Sequence, residues 1–172
     1  MKKLLGFVAI AFLCSPALAD GNAVRLIGHF DGIKWDTSED PHGQGYAVDL
    51  YESNGRLFGE FAYNPGSIEV TSSQLANVHW DRKKGTVTFS SKSSCCTEHA
   101  GSATKERPTR DLFLFKGKIS RQTLYGKLDH RDGYAPDNPG EVQTVRLKRL
   151  PDHELPTSYE AWLANAPPLL DW

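Results

Sequence analysis

Residues 45–63 read GYAVDLYESNGRLFGEFAY, and this stretch decides the fold class. On both sides of Asn54-Gly55, apolar and polar side chains alternate with the period of two that half-buried strands show. An Asn-Gly pair readily takes the positive φ angles that a two-residue hairpin turn requires. The stretch therefore predicts an antiparallel hairpin whose strands are residues 45–52 and 56–63.

Alternation of the same kind recurs along most of the chain. Polar turns at residues 81–85 and 120–123 join further pairs of alternating runs. The eight predicted strands are residues 23–32, 45–52, 56–63, 75–80, 85–90, 112–120, 123–130 and 142–150. The sequence thus predicts an all-β fold whose antiparallel strands follow one another in a meander.

An up-and-down barrel is the simplest arrangement of eight such strands, because closing the sheet removes the exposed edges that invite aggregation. A β-sandwich is the alternative. The expected architecture is similar to that of lipocalins and avidins, although the chain carries no motif of either family. Such a scaffold hosts many functions, so it does not identify one.

Two of the predicted hairpins carry a glycine at matching positions, Gly59 and Gly126, each after an apolar pair. A glycine inside a strand commonly marks a bend or a place where a side chain would crowd the neighbouring strand. We expect this packing role at both positions, rather than the approach of a ligand to bare backbone.

Two polar stretches, residues 34–44 and 91–111, interrupt the meander. Loops of this length are uncommon unless they are functional or mobile. Near the C terminus, residues 157–166 predict one short helix, because a Thr-Ser pair precedes the apolar positions and Glu160 falls in the first turn. Pro167 ends this helix.

The N terminus has the pattern of a bacterial-type signal peptide. Two lysines precede an uncharged apolar run, and Ala17-Leu18-Ala19 is the small-x-small pattern that predicts cleavage after Ala19. A lipoprotein anchor at Cys14 is the alternative, but bulky residues precede this cysteine. We therefore expect residues 20–172 to form one periplasmic or secreted domain, soluble and without a membrane span.

Composition narrows the range of partners. Loss of Lys2 and Lys3 leaves 20 − 2 = 18 basic residues against 21 acidic ones, a net charge of −3. Both signs are scattered along the chain, whereas nucleic-acid binders concentrate Lys and Arg on one face. We expect no nucleic-acid partner.

Cys95 and Cys96 are the only cysteines after the predicted cleavage site. Adjacent cysteines can close an eight-membered disulfide ring only if the peptide between them is distorted or cis. A vicinal disulfide, two free thiols and a bond to a second molecule all remain open. With His99, three residues further on, the pair would also offer soft metal ligands, but adjacent thiolates fit one tetrahedral ion poorly. We predict no metal site here.

Familiar catalytic signatures are missing: the sequence has no nucleophile elbow, phosphate-binding glycine loop, His-Glu-x-x-His or Cys-x-x-Cys. We therefore expect no enzyme and no cofactor. Binding is expected at the barrel mouth and the two polar stretches. The candidate binding residues are Trp35, His42, Cys95, Cys96, His99, Tyr125 and Tyr134.

Three functional hypotheses follow. The first is a non-enzymatic binding module that engages a small ligand or a partner protein through its barrel mouth and long loops. The second is an inhibitor or immunity-type protein that blocks a secreted hydrolase with residues 91–111. The third is a periplasmic thiol or metal protein built on Cys95, Cys96 and His99.

The predicted processing can be tested on the expressed protein. Because Ala17 and Ala19 satisfy the small-x-small rule, intact-mass spectrometry of the periplasmic fraction should give a chain that begins at Asp20. An Ala19→Arg variant should be processed poorly. A mass that carries acyl chains on Cys14 would contradict the prediction.

Overall fold

The structure, a computed structural model, describes residues 23–99 and 106–172. The predicted signal peptide lies outside the described residues. The strands are β1 (Arg25–Asp31), β2 (Lys34–Trp35), β3 (Gly43–Ser53), β4 (Arg56–Ser67), β5 (Thr71–Asp81), β6 (Thr86–Ser93), β7 (Thr97–His99), β8 (Glu106–Pro108), β9 (Asp111–Ile119), β10 (Thr123–Asp132) and β11 (Glu141–Arg149), and the helix is α1 (Tyr159–Leu163).

Eight strands close into an antiparallel barrel, which confirms the predicted up-and-down barrel over the sandwich. Strands β3, β4, β5, β6, β9, β10 and β11 pair in this order, and β1 pairs with both β11 and β3. The predicted Asn-Gly turn is also confirmed, because Asn54 and Gly55 have φ angles of 51° and 75°. We call the end at which β3, β5, β9 and β11 begin the upper end, and the opposite end the lower end.

The two polar stretches hold short strands that the sequence did not predict. In the first, β2 pairs with the beginning of β3 on the outside of the barrel. In the second, β7 and β8 pair with each other as a separate two-stranded sheet, here called the ribbon. The described parts of both stretches lie at the upper end, because the first leads into β3 and the second follows β6.

Inward side chains fill the barrel. Alternation with a period of two sends every second residue of a strand inward, and the apolar ones form a single core. Its rings pack closely, with centroids 4.8 Å apart for Phe61 and Phe113 and 4.8 Å apart for Phe89 and Phe115. The buried members are Ile27, Phe30, Val48, Leu50, Phe61, Leu75, Val87, Phe89, Phe113, Phe115, Leu124, Leu128, Val145 and Leu147.

The lower end is closed by an aromatic and charged cluster. The Arg25 and Arg82 guanidinium groups lie 5.8 and 5.2 Å from the ring centroid of Trp80. Both arginines also hydrogen-bond to the carboxylate of Glu52. Cation–π contacts and charge-assisted hydrogen bonds thus cap the core at this end.

A second apolar cluster lies on the outer face, where the C-terminal segment packs against β3 and β4. Tyr51 and Phe58 are buried there beneath Trp162 of α1, whose ring centroid is 4.7 Å from that of Phe58. The predicted helix is confirmed but is only five residues long, with Ser158 as its N-cap. Within the described ranges, no helix combines the length and the apolar character needed to cross a bilayer.

The matching glycines have the expected packing role. A Cβ at Gly59 would overlap the backbone carbonyl of Asp49, and one at Gly126 would overlap the backbone of Lys116 and Gly117. Neighbouring strands therefore approach each other at these two points more closely than a side chain permits.

A Gly126→Ala substitution tests this close approach. Because the obstructing atoms belong to the backbone, we expect a loss of about 1–3 kcal/mol in the free energy of unfolding, measured by urea denaturation. Lys127→Ala on the same strand is the control and should change stability by less than about 0.5 kcal/mol. Equal stability of the two variants would contradict the packing role.

Candidate functional site

The ribbon presents one face to solvent and the other to the barrel. Thr97, His99, Glu106 and Pro108 share the outer face, and all four are exposed. The opposite face carries Glu98 and Arg107, whose side chains form an ion pair at 2.7 Å. The ribbon is therefore a scaffold for a row of exposed side chains at the upper end.

Two arginines and two aromatic rings hold the base of the ribbon. The Arg107 guanidinium lies 3.6 Å from the ring centroid of Tyr134, and that of Arg110 lies 4.6 Å from the same ring. The Tyr134 hydroxyl donates a hydrogen bond of 2.8 Å to the carbonyl of Pro108. Arg110 also lies 5.5 Å from the ring centroid of Trp172. These contacts fix the ribbon relative to the barrel.

The cysteine pair lies just before the ribbon, and the structure does not contain the vicinal disulfide. Both side chains are free thiols, and their Sγ atoms are 2.6 Å apart, longer than the bond of about 2.05 Å. No described peptide bond is cis, whereas the eight-membered ring would require the peptide between these residues to be distorted or cis. Backbone hydrogen bonding also fixes this segment, since Thr109 N–H donates to Cys96 O at 2.9 Å.

The two thiols have different surroundings. Cys96 is exposed, whereas Cys95 is partly buried. Burial raises the pKa of the Cys95 thiol, and the hydrogen bond and charge of Cys96 raise it further. At neutral pH, Cys95 is therefore a protonated thiol, which is a poor nucleophile and a poor metal ligand.

A polar and aromatic layer closes the upper end of the core. The His130 ring stacks on Phe113 with centroids 4.5 Å apart, and its Nε2 lies 2.7 Å from Asp111 Oδ1. The Tyr63 ring lies 5.0 Å from that of Phe113. Burial raises the pKa of the Tyr63 hydroxyl, and the charge of Asp111 adds to this effect. Rings thus occupy the mouth at which a small ligand would enter.

The first polar stretch is ordered by one carboxylate. Asp36 Oδ1 accepts hydrogen bonds from the Ser38 hydroxyl at 2.6 Å and from the backbone N–H of His42 at 3.2 Å. These bonds, led by that of the Ser38 hydroxyl, lower the pKa of Asp36. The loop holds Trp35 with 47 % of its surface exposed.

The structure brings together only some of the predicted binding residues. Cys95 and Cys96 directly precede the ribbon, His99 belongs to it and Tyr134 lies at its base. Trp35 and His42 lie at the same end of the barrel, beside β3. Tyr125 is the third residue of β10, so it lies near the lower end, and its side chain points outward. In the described part of the chain, the cysteines and His99 are not part of a cluster of three metal-ligating side chains.

Sequence reasoning missed a cluster on the outer face. His29 of β1 and Asp49 of β3 are cross-strand partners, and their side chains are hydrogen-bonded. His153 of the C-terminal segment lies beside them, with its ring centroid 5.1 Å from that of His29. Its Nε2 is 2.9 Å from the Tyr51 hydroxyl. If β1 had been predicted to pair with β3 in this register, the His29–Asp49 contact would have followed. Nothing in the sequence indicates that His153 lies beside them.

Glu60 extends this cluster along the sheet. It is the cross-strand partner of Asp49, and it lies on the same outer face of β4. Partial burial raises the pKa of the Glu60 carboxyl, and the neighbouring charge of Asp49 raises it further.

Alkylation rates should distinguish the two thiols. With iodoacetamide at pH 7 and no reductant, peptide mapping by mass spectrometry should show Cys96 modified several-fold faster than Cys95, because Cys95 is shielded and little ionised. In urea the two rates should become similar. Native protein that reacts at neither cysteine until it is reduced would instead indicate a disulfide.

Comparison with known proteins identifies no relative: no family model, no curated protein and no solved structure matches this chain.

Proposed function

We propose that this protein is an exported, non-enzymatic binding module that engages a partner protein through the ribbon at the upper end of the barrel. The observation that carries the proposal is the filled interior, which leaves recognition to the outer surface. Export is inferred from the signal-peptide pattern of residues 1–19.

The packing of the core supports a protein partner over a small ligand in the barrel. Barrels that hold small molecules keep part of the interior open. Here Phe30, Phe113 and Leu128 are at most 1 % exposed, and aromatic side chains close both ends.

The geometry of the ribbon supports its role as the recognition element. Its base is held by the two arginines on Tyr134, so binding would cost less ordering entropy than with an unsupported loop. The outer row of Thr97, His99 and Glu106 offers polar and ionisable groups to a partner.

An inhibitor or immunity-type protein is the second candidate. Binding proteins commonly carry their recognition residues on connecting segments that a rigid scaffold positions. Two contacts favour this candidate: Tyr134 donates a hydrogen bond to Pro108, and Arg110 lies against the ring of Trp172. Both contacts hold the residues that connect β8 to β9. In the thiol or metal hypothesis, Cys95 would have to ionise, and the raised pKa of its thiol opposes this.

Site-specific photo-cross-linking in the periplasm tests the proposal. A photoreactive phenylalanine analogue at Thr97 should yield a discrete adduct with another protein, which mass spectrometry would identify. The same analogue at Lys84, an exposed residue in a lower-end turn, is the control and should yield none. Tyr134→Ala should weaken the Thr97 adduct several-fold while circular dichroism still shows the barrel.

Equal adducts from Thr97 and Lys84, or none from either, would contradict the proposal. A small molecule that co-purifies in one equivalent and is retained by the Tyr134→Ala variant would also contradict it. For the inhibitor hypothesis, the identified partner should be a hydrolase whose activity falls when the purified protein is added.

A further inference from the structure

Three metal-ligating side chains from distant parts of the chain converge on the outer face of the barrel. His29, Asp49 and His153 each offer one ligand atom, and these atoms all lie within 4.8 Å of one another. In a tetrahedral zinc site the ligand atoms are roughly 3.4 Å apart, given metal–ligand distances of about 2.1 Å. Small side-chain rotations, chiefly of the exposed His153, would close this difference.

The fold holds two of the three ligands in place. His29 and Asp49 are directly opposite each other in the pairing of β1 with β3. The side chain of each is about a quarter exposed or less, at 26 % and 21 %. A pair of this kind on two hydrogen-bonded strands is preorganised, so little binding energy would be lost in ordering it around an ion.

Tyr51 supports the cluster from behind. Its hydroxyl lies 2.9 Å from His153 Nε2 and 3.3 Å from Asp49 Oδ2. Its ring is buried at 3 % exposure, and it is part of the apolar cluster beneath the C-terminal segment. A hydrogen-bonding group that orients the ligands is a regular feature of metal sites.

The surroundings have room and charge for a cation. A cavity of about 140 Å³ lies beside the pair and is lined by residues that include His29, Asp49, Glu60 and Ser72. This volume exceeds the roughly 10–15 Å³ that a cavity needs to hold one water molecule. Asp49 and Glu60 are cross-strand neighbours of like charge, and a divalent cation between them would relieve their repulsion.

We propose that His29, Asp49 and His153 bind one divalent transition-metal ion, with zinc as the best match, and that Glu60 or a water molecule completes the coordination. Two imidazoles and one carboxylate form the nitrogen–oxygen donor set that zinc accepts in tetrahedral sites. Calcium and magnesium prefer oxygen ligands alone.

Metal binding would join the C-terminal segment to the barrel. His29 and Asp49 belong to barrel strands, whereas His153 lies between β11 and α1. The ion would therefore add a further attachment to the existing ones, which include the burial of Trp162 and the hydrogen bonds that Gln74 makes to the carbonyls of Pro167 and Pro168. This site is separate from the ribbon, so it goes beyond the proposed partner binding.

Isothermal titration calorimetry with zinc chloride tests the site. The experiment uses a Cys95→Ser/Cys96→Ser background so that thiols do not bind the metal. We expect one equivalent of zinc, affinity at least tenfold lower for His29→Ala and for His153→Ala, and unchanged affinity for the control His79→Ala, which replaces an exposed histidine on β5. Calcium at the same concentration should give no comparable binding.

If His29→Ala does not fold, a second measurement on His153→Ala still tests the site. His153 is exposed, so its replacement should preserve the barrel by circular dichroism. The cobalt-substituted parent protein should show the visible absorption bands of tetrahedral cobalt, and His153→Ala should lose them. Zinc binding below one equivalent, or binding that both histidine variants retain at full strength, would overturn the proposal. So would a loss of binding in His79→Ala as large as in His153→Ala.

Discussion

The pairing of β1 with both β3 and β11 closes the sheet, and the rest of the structure depends on this closure. An open eight-stranded sheet would leave two edges with unpaired N–H and C=O groups. Closure also gives every strand an inside, where alternate side chains meet. Phe30 shows the result, because it is fully buried and the Arg149 guanidinium lies 4.8 Å from its ring.

Because side chains fill the interior of the barrel, the proposed binding sites and the second apolar cluster lie on its outer surface. The core rings pack against one another, and Trp80 and His130 belong to the clusters that close the two ends. The outer face meanwhile buries Tyr51 and Phe58 beneath the C-terminal segment. The barrel thus has two apolar layers at this wall, and the polar row of His29, Asp49 and Glu60 lies across the same strands.

The two proposed sites use different ways of fixing a peripheral element to this scaffold. Arginine–aromatic contacts hold the ribbon through Tyr134 and Trp172. The C-terminal segment is held near His153 by a hydrogen bond between His153 and Tyr51. Trp172 also accepts a hydrogen bond from Lys92 near the ribbon, so the end of the chain reaches the region where the ribbon begins. A change in the C-terminal segment can therefore affect both places.

The sequence by itself determined the eight barrel strands and the turns of the predicted hairpins. These features depend on neighbours along the chain: alternation with a period of two fixes which side chains are buried, and Asn54-Gly55 fixes its turn. The packing role of Gly59 and Gly126 was predictable too, because a glycine inside a strand commonly marks the close approach of a neighbouring backbone. The short helix was predicted too long, since Trp162 packing, rather than propensity, holds it.

Only the tertiary structure decided which distant residues meet. His153 follows His29 by more than a hundred residues, and its position depends on how the C-terminal segment folds back over β3. The ribbon likewise lies where Arg107 and Arg110 contact the ring of Tyr134, which follows them by more than twenty residues. Such contacts leave no period or spacing in the sequence, because side-chain packing between separate segments creates them and local backbone preference does not.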